Sequence, residues 1–355
     1  MNNRIEYLDG HRGLAILLVV GFHAYARWPS LVPYAGAYSG IPLFKYGWLG
    51  VELFFLVSGF VILMTLEKCP GAGEFMFRRW LRLFPAMLFC SLLIFVTAGF
   101  FFERPDGAPS AVSLLPGLTF IEPSWWANML GTPVKPLEGG YWSLYVEMKF
   151  YALAAAIYFW RGRNWLIGAL IAAFALGTFC KVADVYAGGP AISWLNNICR
   201  NLSLEYFGWF AAGAAFYLYA KTRNMRWMLA AIALAILSSA FVRVFHWPTF
   251  VVACLISLFF AGSLISLPLR RLLQHRFFQF FGFISYPLYL MQENMMISII
   301  AKLGNADMNL PAYLYPVLPI FLISAAAYLV ARHIEPNFKK VLAGLALKSP
   351  FNRAT

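Results

Sequence analysis

The chain has 355 residues, of which 61% are hydrophobic and only 12% charged. Soluble domains carry about 25% charged residues, so a water-soluble fold around one core is excluded and lipid is the expected solvent for much of the surface. The net charge of +13 does not point to nucleic acid, because Lys and Arg stand in short clusters between apolar runs, as membrane topology requires.

A spanning helix needs about 20 mostly apolar residues. The apolar runs predict spans over 13–30, 48–66, 84–102, 141–160, 164–182, 204–220, 227–244, 249–267, 279–300 and 313–332. The basic N-terminus and first apolar run lack a small-residue cleavage site before Trp28-Pro29, so this segment is a first transmembrane helix and not a signal peptide. Most of the 28 Lys and Arg fall at one set of helix ends when the N-terminus is placed in the cytoplasm. The expected fold is therefore an all-α polytopic membrane protein of about ten transmembrane helices with both termini cytoplasmic. Residues 1–340 form one transmembrane domain and 341–355 a short cytoplasmic tail. Segment 103–140, rich in proline, is the longest element expected outside. Cys180 and Cys199 flank another expected outer loop, where they could pair; no Cys/His spacing suggests a metal site.

Ionisable groups inside spans are costly and mark candidate sites. Arg12 and His23 stand eleven residues apart in RGLAILLVVGFH. At about 100° per residue they share one helix face, separated by about 16 Å along the axis. Glu52, in GWLGVELFFLVSGF, enters the second span from the same side as His23. A carboxylate there could raise the basicity of the imidazole and fix its tautomer. Glu147 opens the fourth span with Ser143 four residues before it, and Lys149 is expected to snorkel to the surface. In the ninth span, GFISYPLYLMQENMM supplies Ser285, Tyr286, Gln292 and Glu293, with a kink expected at Pro287. Before the third span, FMFRRWLRLFP places Arg78, Arg79 and Arg82 on a compact cationic face able to hold phosphates.

These segments carry a resemblance. YLDGHRGLAILLVVGFH, GVELFFLVSGF, FRRWLRLFP, YWSLYVEMKFY and GFISYPLYL, in this order from Tyr7 to about Asn294, are similar to the acyltransferase-3 family of bacterial membrane acyltransferases. The resemblance implies a membrane O-acyltransferase. Such an enzyme moves an acyl group, acetyl first among them, from acyl-CoA to a hydroxyl of a cell-surface or lipid-linked glycan. O-acetylation of a polysaccharide at the bacterial inner membrane is the expected setting. Acetyl-CoA enters as a co-substrate, with no permanently bound cofactor and no metal. The family's Arg-x10-His pattern falls on Arg12 and His23, its RxxR on Arg79 and Arg82, its acidic position after Gly-Val on Glu52, and its WSLxxE glutamate on Glu147.

On this reading His23 is general base or acyl carrier, with Glu52 or Glu147 orienting it. Arg12, Arg78, Arg79 and Arg82 bind the donor. Ser143, Ser285, Tyr286 and Glu293 serve substrate or oxyanion. Two departures stand out: His11 replaces an apolar residue beside Arg12, and Gln292 replaces a histidine, so a step that needs that histidine is either missing here or served by Glu293. An SGNH-type esterase domain, carried by many relatives, is not expected here. The competing readings are a glycolipid or polysaccharide transporter or flippase, because broken helices and midplane charges also mark transporters, and a non-catalytic subunit of an export complex.

Overall fold

A computed structural model describes residues 5–244, 246–306, 310–338 and 340–341. The expected tail over 341–355 lies almost wholly outside the described residues. Among the described residues the fold is helical, with no strand. In chain order the α-helices are α1 (Glu6–Phe22), α2 (Pro42–Lys45), α3 (Gly50–Leu66), α4 (Ala72–Thr97), α5 (Leu114–Thr119), α6 (Pro123–Leu130), α7 (Trp142–Arg161) and α8 (Arg163–Tyr186). They continue with α9 (Pro190–Asn201), α10 (Phe207–Thr222), α11 (Met225–Val242), α12 (Trp247–Ser263), α13 (Leu267–Leu273), α14 (Arg276–Met291), α15 (Asn294–Asn305) and α16 (Val317–Leu329). A π-helical turn, His23–Arg27, directly follows α1.

Five helical stretches among the described residues are long and apolar enough to cross a membrane: Gly47–Leu66, Ala72–Phe100, Arg163–Tyr186, Met225–Val242 and Ala312–Phe338. The pair α12 and α13 makes a sixth if its 105° bend is counted within one span. Val96 and Phe179, each 69% exposed, and Phe321, 68% exposed, lie on these stretches. Large apolar side chains left uncovered at such density belong against lipid.

Contacts divide the chain into two compact units. The first comprises residues 1–15, 49–76 and 146–279. Its centre is α10, packed against α3 and α11. Glycine makes the α3–α10 crossing possible. A Cβ on Gly59 would lie 2.2 Å from the carbonyl oxygen of Phe210, and one on Gly213 would lie 2.1 Å from that of Leu56. Small residues let membrane helices approach backbone to backbone, where dispersion replaces the missing hydrophobic drive. Phe150 stacks on Phe210 with centroids 4.0 Å apart beside this crossing. His11, the unexpected residue beside Arg12, is fully buried; its Nε2 lies 2.8 Å from Ser263 Oγ and its ring packs on Phe260. It ties α1 to the end of α12. The ammonium of Lys149 reaches the end of α9 and the turn after it, where it donates to the carbonyl of Asn201 and to Ser203 Oγ at 3.0 Å. Cys180 and Cys199 are both buried free thiols, so the pairing their positions allowed is not made.

The second unit comprises residues 16–48, 77–145 and 280–355. Here the ninth expected span is not one helix. It ends at Met291 as α14 and restarts at Asn294 as α15. Pro287, which cannot donate to its own helix, stays inside α14, and the interruption falls further on, at Gln292 and Glu293. Segment 103–140 supports this interruption. Glu138 Oε2 accepts the backbone N–H of Asn294 at 2.6 Å, placing a carboxyl group at the start of α15, where the orphan N–H groups and the helix dipole favour it. Asn294 Nδ2 donates to Asp106 Oδ2 at 2.8 Å. Arg104 donates to the carbonyl of Leu137 at 2.7 Å and lies 3.7 Å from Glu138 Oε1.

Candidate active site

The site is clearest in the second unit. His23 is the first residue of the π turn and is buried. Single π turns widen the helix by one residue and recur at functional positions. Nδ1 of His23 lies 2.7 Å from Oε1 of Gln292, and Nε2 lies 3.5 Å from Oε1 of Glu293. Both partners come from the interruption between α14 and α15, so adjacent residues reach the two nitrogens of one ring. With the amide oxygen on Nδ1, that nitrogen carries the proton, and Nε2 is the basic position facing the carboxylate. Gln292 is fully buried, and its Nε2 has no hydrogen-bond partner among the described residues.

Glycine and tyrosine complete the surroundings. A Cβ on Gly139 would sit 2.8 Å from Glu293 Oε2, so a larger residue here would require the carboxylate to shift. Tyr289 donates its O–H to the Gly140 carbonyl at 2.9 Å, and its oxygen lies 2.6 Å from Ser143 Oγ. Ser143 is thus brought next to the segment that holds Glu293. Ser285 and Tyr286 are committed elsewhere: Ser285 Oγ donates to the Gly282 carbonyl at 2.9 Å, and Tyr286 donates to the Leu83 carbonyl at 3.0 Å. Arg78 and Arg82 are exposed on α4 and Arg79 is half-buried there. Trp80 stacks on Phe84 on this helix with centroids 4.5 Å apart.

The other candidates belong to the first unit. Arg12 pairs with Asp9 at 3.1 Å, the contact expected from their i,i+3 spacing. Glu147 Oε1 accepts from Ser58 Oγ at 2.6 Å and from the hydroxyl of Tyr151. Glu52 is 2% exposed, and its Oε2 is buried with no hydrogen-bond partner among the described residues.

Sequence reasoning gave the orienting role to Glu52 or Glu147. The groups found against the ring are Gln292 and Glu293. Gln292 was noticed as a departure and left without a role. Tyr289, Gly139, Glu138 and Asn294 were missed. Of these, only Asn294 had a signal, in the fully polar triplet Gln292-Glu293-Asn294 inside an apolar run.

His23 is thus a buried histidine with an amide on one nitrogen and a carboxylate near the other. The chain belongs to the acyltransferase-3 family: the family model described as an acyltransferase domain matches residues 5–331. It is a multi-pass membrane acyltransferase, which favours the enzyme over the transporter and non-catalytic readings. Among relatives, it is 28% identical over 304 residues to a protein of Komagataeibacter xylinus provisionally named a membrane-bound transacylase, BcsY, covering 71% of this chain and 74% of that one. It is 27% identical over 163 residues to the peptidoglycan O-acetyltransferase OatA of Listeria monocytogenes, covering 42% of this chain and 23% of the relative. It is 28% identical over 158 residues to the O-acetyltransferase OatA of Staphylococcus aureus, covering 41% of this chain and 23% of the relative. The chain therefore spans less than a quarter of either OatA protein. No solved structure matches it.

Proposed function

We propose that this acyltransferase moves an acetyl group from acetyl-CoA to a hydroxyl of a cell-surface or lipid-linked glycan, at the bacterial inner membrane, with His23 as general base. The observation that carries the reading is the placement of His23 between Gln292 and Glu293. The relatives named for O-acetyl transfer, one of them onto peptidoglycan, support the acetyl group and the glycan acceptor.

Gln292 accepts the Nδ1 proton and so reserves Nε2 for the acceptor hydroxyl. As the hydroxyl oxygen bonds to the thioester carbon, its proton passes to Nε2. The imidazolium formed is stabilised by Glu293, the part an acidic residue plays beside histidine in other catalytic sets. The C–S bond then breaks, and the departing CoA thiolate takes the proton from His23. Negative charge on the carbonyl oxygen needs a donor. Ser285 and Tyr286 were the candidates; both hydroxyls already donate to backbone carbonyls, whereas the buried Nε2 of Gln292 has no such commitment. Gln292 is the better assignment. Arg78, Arg79 and Arg82 are assigned to the donor phosphates on charge and guanidinium geometry. Arg12 keeps the donor-binding role of the family pattern, and Glu52 and Glu147 keep supporting roles.

The test uses protein purified in nanodiscs, radiolabelled acetyl-CoA and a peptidoglycan or exopolysaccharide fragment. Label should move to the glycan as an alkali-labile ester with the natural enzyme and fall by roughly 10²–10⁴-fold with His23→Ala. Undiminished transfer by a folded His23→Ala protein would remove His23 from the chemistry. Label on an amine in place of a hydroxyl would overturn the acceptor class.

A further inference from the structure

The first unit contains a cleft of about 420 Å³, apolar-walled with a cationic rim, at the end of α10 and the bend between α12 and α13. Lys221, Arg223 and Arg270 line it, with Tyr7, Phe60 and Leu264 among its other walls. This volume is within the range of small-molecule sites. No carboxylate is among its described lining residues.

The cations are not equivalent. Lys221 Nζ lies 2.6 Å from Glu67 Oε2, so its charge is already answered. Arg270 is pinned by the bend: Nε donates to the carbonyl of Ser263 at 2.8 Å and Nη2 donates to that of Leu264. Its guanidinium also lies over the ring of Tyr7, 5.5 Å from the centroid. Arg223 closes α10 in the left-handed region, φ 57, with its N–H on the Tyr219 carbonyl at 2.8 Å and its guanidinium 5.9 Å from the Tyr219 ring centre. The Arg270 guanidinium is held in place before any ligand arrives, which lowers the ordering cost of binding, while the exposed Arg223 supplies a second charge beside it. Two positive charges without a carboxylate partner among the described residues match a divalent anion, and guanidinium suits phosphate oxygens. The wall of Phe60 and Leu264 accepts an apolar portion.

We infer that this cavity binds a phosphate monoester bearing an apolar group, through Arg223 and Arg270. Two sources share that chemistry: a lipid headgroup and the ribose 3′-phosphate of a nucleotide such as CoA. The inference does not depend on the acyl-transfer mechanism.

Two probes separate the sources. Retention of phosphatidic acid against phosphatidylcholine is read by native mass spectrometry of the full chain in detergent. Adenosine 3′,5′-bisphosphate is titrated calorimetrically onto Arg82→Gln protein in nanodiscs, so that the arginines on α4 contribute less to the signal. At least one probe should bind, and Arg223→Asn and Arg270→Gln should each weaken it roughly tenfold, as expected for loss of a charged hydrogen-bonding partner. Asn tolerates the left-handed conformation at position 223, so Arg223→Asn remains informative even if Arg270→Gln unfolds the bend. Arg163→Gln, a cation outside the cavity, should leave binding unchanged. Absence of binding by both probes overturns the inference. Equal weakening by Arg163→Gln and Arg223→Asn does so too, because it would show attraction to general surface charge.

Discussion

The imidazole Nδ1 of His23 sits 2.7 Å from the amide oxygen of Gln292, although the two residues are 269 positions apart in the chain. An amide cannot take the proton away, as a carboxylate could, but it fixes the tautomer. Gln292→Ala should therefore lower kcat by roughly tenfold through loss of ring orientation. Gln292→Glu should do something different: a negative neighbour favours the imidazolium, so the limb of the pH–kcat profile that reports His23 should move upward in pH. Steady-state acetyl transfer between pH 5 and 9 measures both effects.

Glu293 faces the other ring nitrogen at 3.5 Å. Glu293→Gln keeps the shape and removes the charge that stabilises the imidazolium. The expected loss is in kcat, by about 10²-fold, with KM for acetyl-CoA nearly unchanged, as for an interaction made mainly in the transition state. A change confined to KM would reassign Glu293 to substrate binding.

Glu138 and Arg104 hold the interruption from segment 103–140. Glu138→Ala leaves the Asn294 N–H without its acceptor and Arg104 without its carboxylate. It should cost about 1–3 kcal/mol. The accompanying loss of activity should exceed the fraction unfolded, because the α14–α15 interruption carries both partners of His23. Thermal unfolding followed by tryptophan fluorescence, with activity measured well below the midpoint, separates the two contributions.

The α3–α10 crossing gives a purely steric prediction. Gly59→Ala would place a Cβ 2.2 Å from the Phe210 carbonyl oxygen, whereas at Gly73, in the first turn of α4, a Cβ would meet nothing within 4 Å. Gly59→Ala should destabilise the protein by about 1–3 kcal/mol. Gly73→Ala should be neutral or stabilise by up to about 1 kcal/mol, because it removes backbone freedom. Melting midpoints in one detergent decide the comparison.

Glu67, just beyond the end of α3, gives a pH dependence. Burial acts to raise its carboxyl, but hydrogen bonds from Lys221 and Tyr217 and the nearby Arg163 outweigh it and hold the group below the usual carboxylate range. A depressed folded-state value adds stability above the unfolded value and loses it as pH falls through the folded one. The melting midpoint of the natural protein should therefore exceed that of Glu67→Gln at pH 7, and the gap should close as pH falls below about 4.5, near the ordinary glutamate value.

Much of this was legible in the chain before any coordinates. Composition alone requires lipid as solvent, since 61% hydrophobic residues with 12% charged cannot be covered by a water-facing surface. The short motifs, above all RGLAILLVVGFH and FRRWLRLFP, were enough to indicate the family because their residue types and order are themselves the signal. Helix period also placed Arg12 beside Asp9, because i and i+3 are neighbours on any helix. Contacts between elements distant in sequence are a different matter. Only the tertiary structure assigned Gln292 and Glu293 to the two nitrogens of His23, moved the interruption past Pro287 to these residues, and tied it to Glu138. Local pattern carries periodicity and propensity. The identity of a hydrogen-bond partner 269 residues away is set by how the elements pack, and no periodicity in the chain encodes it.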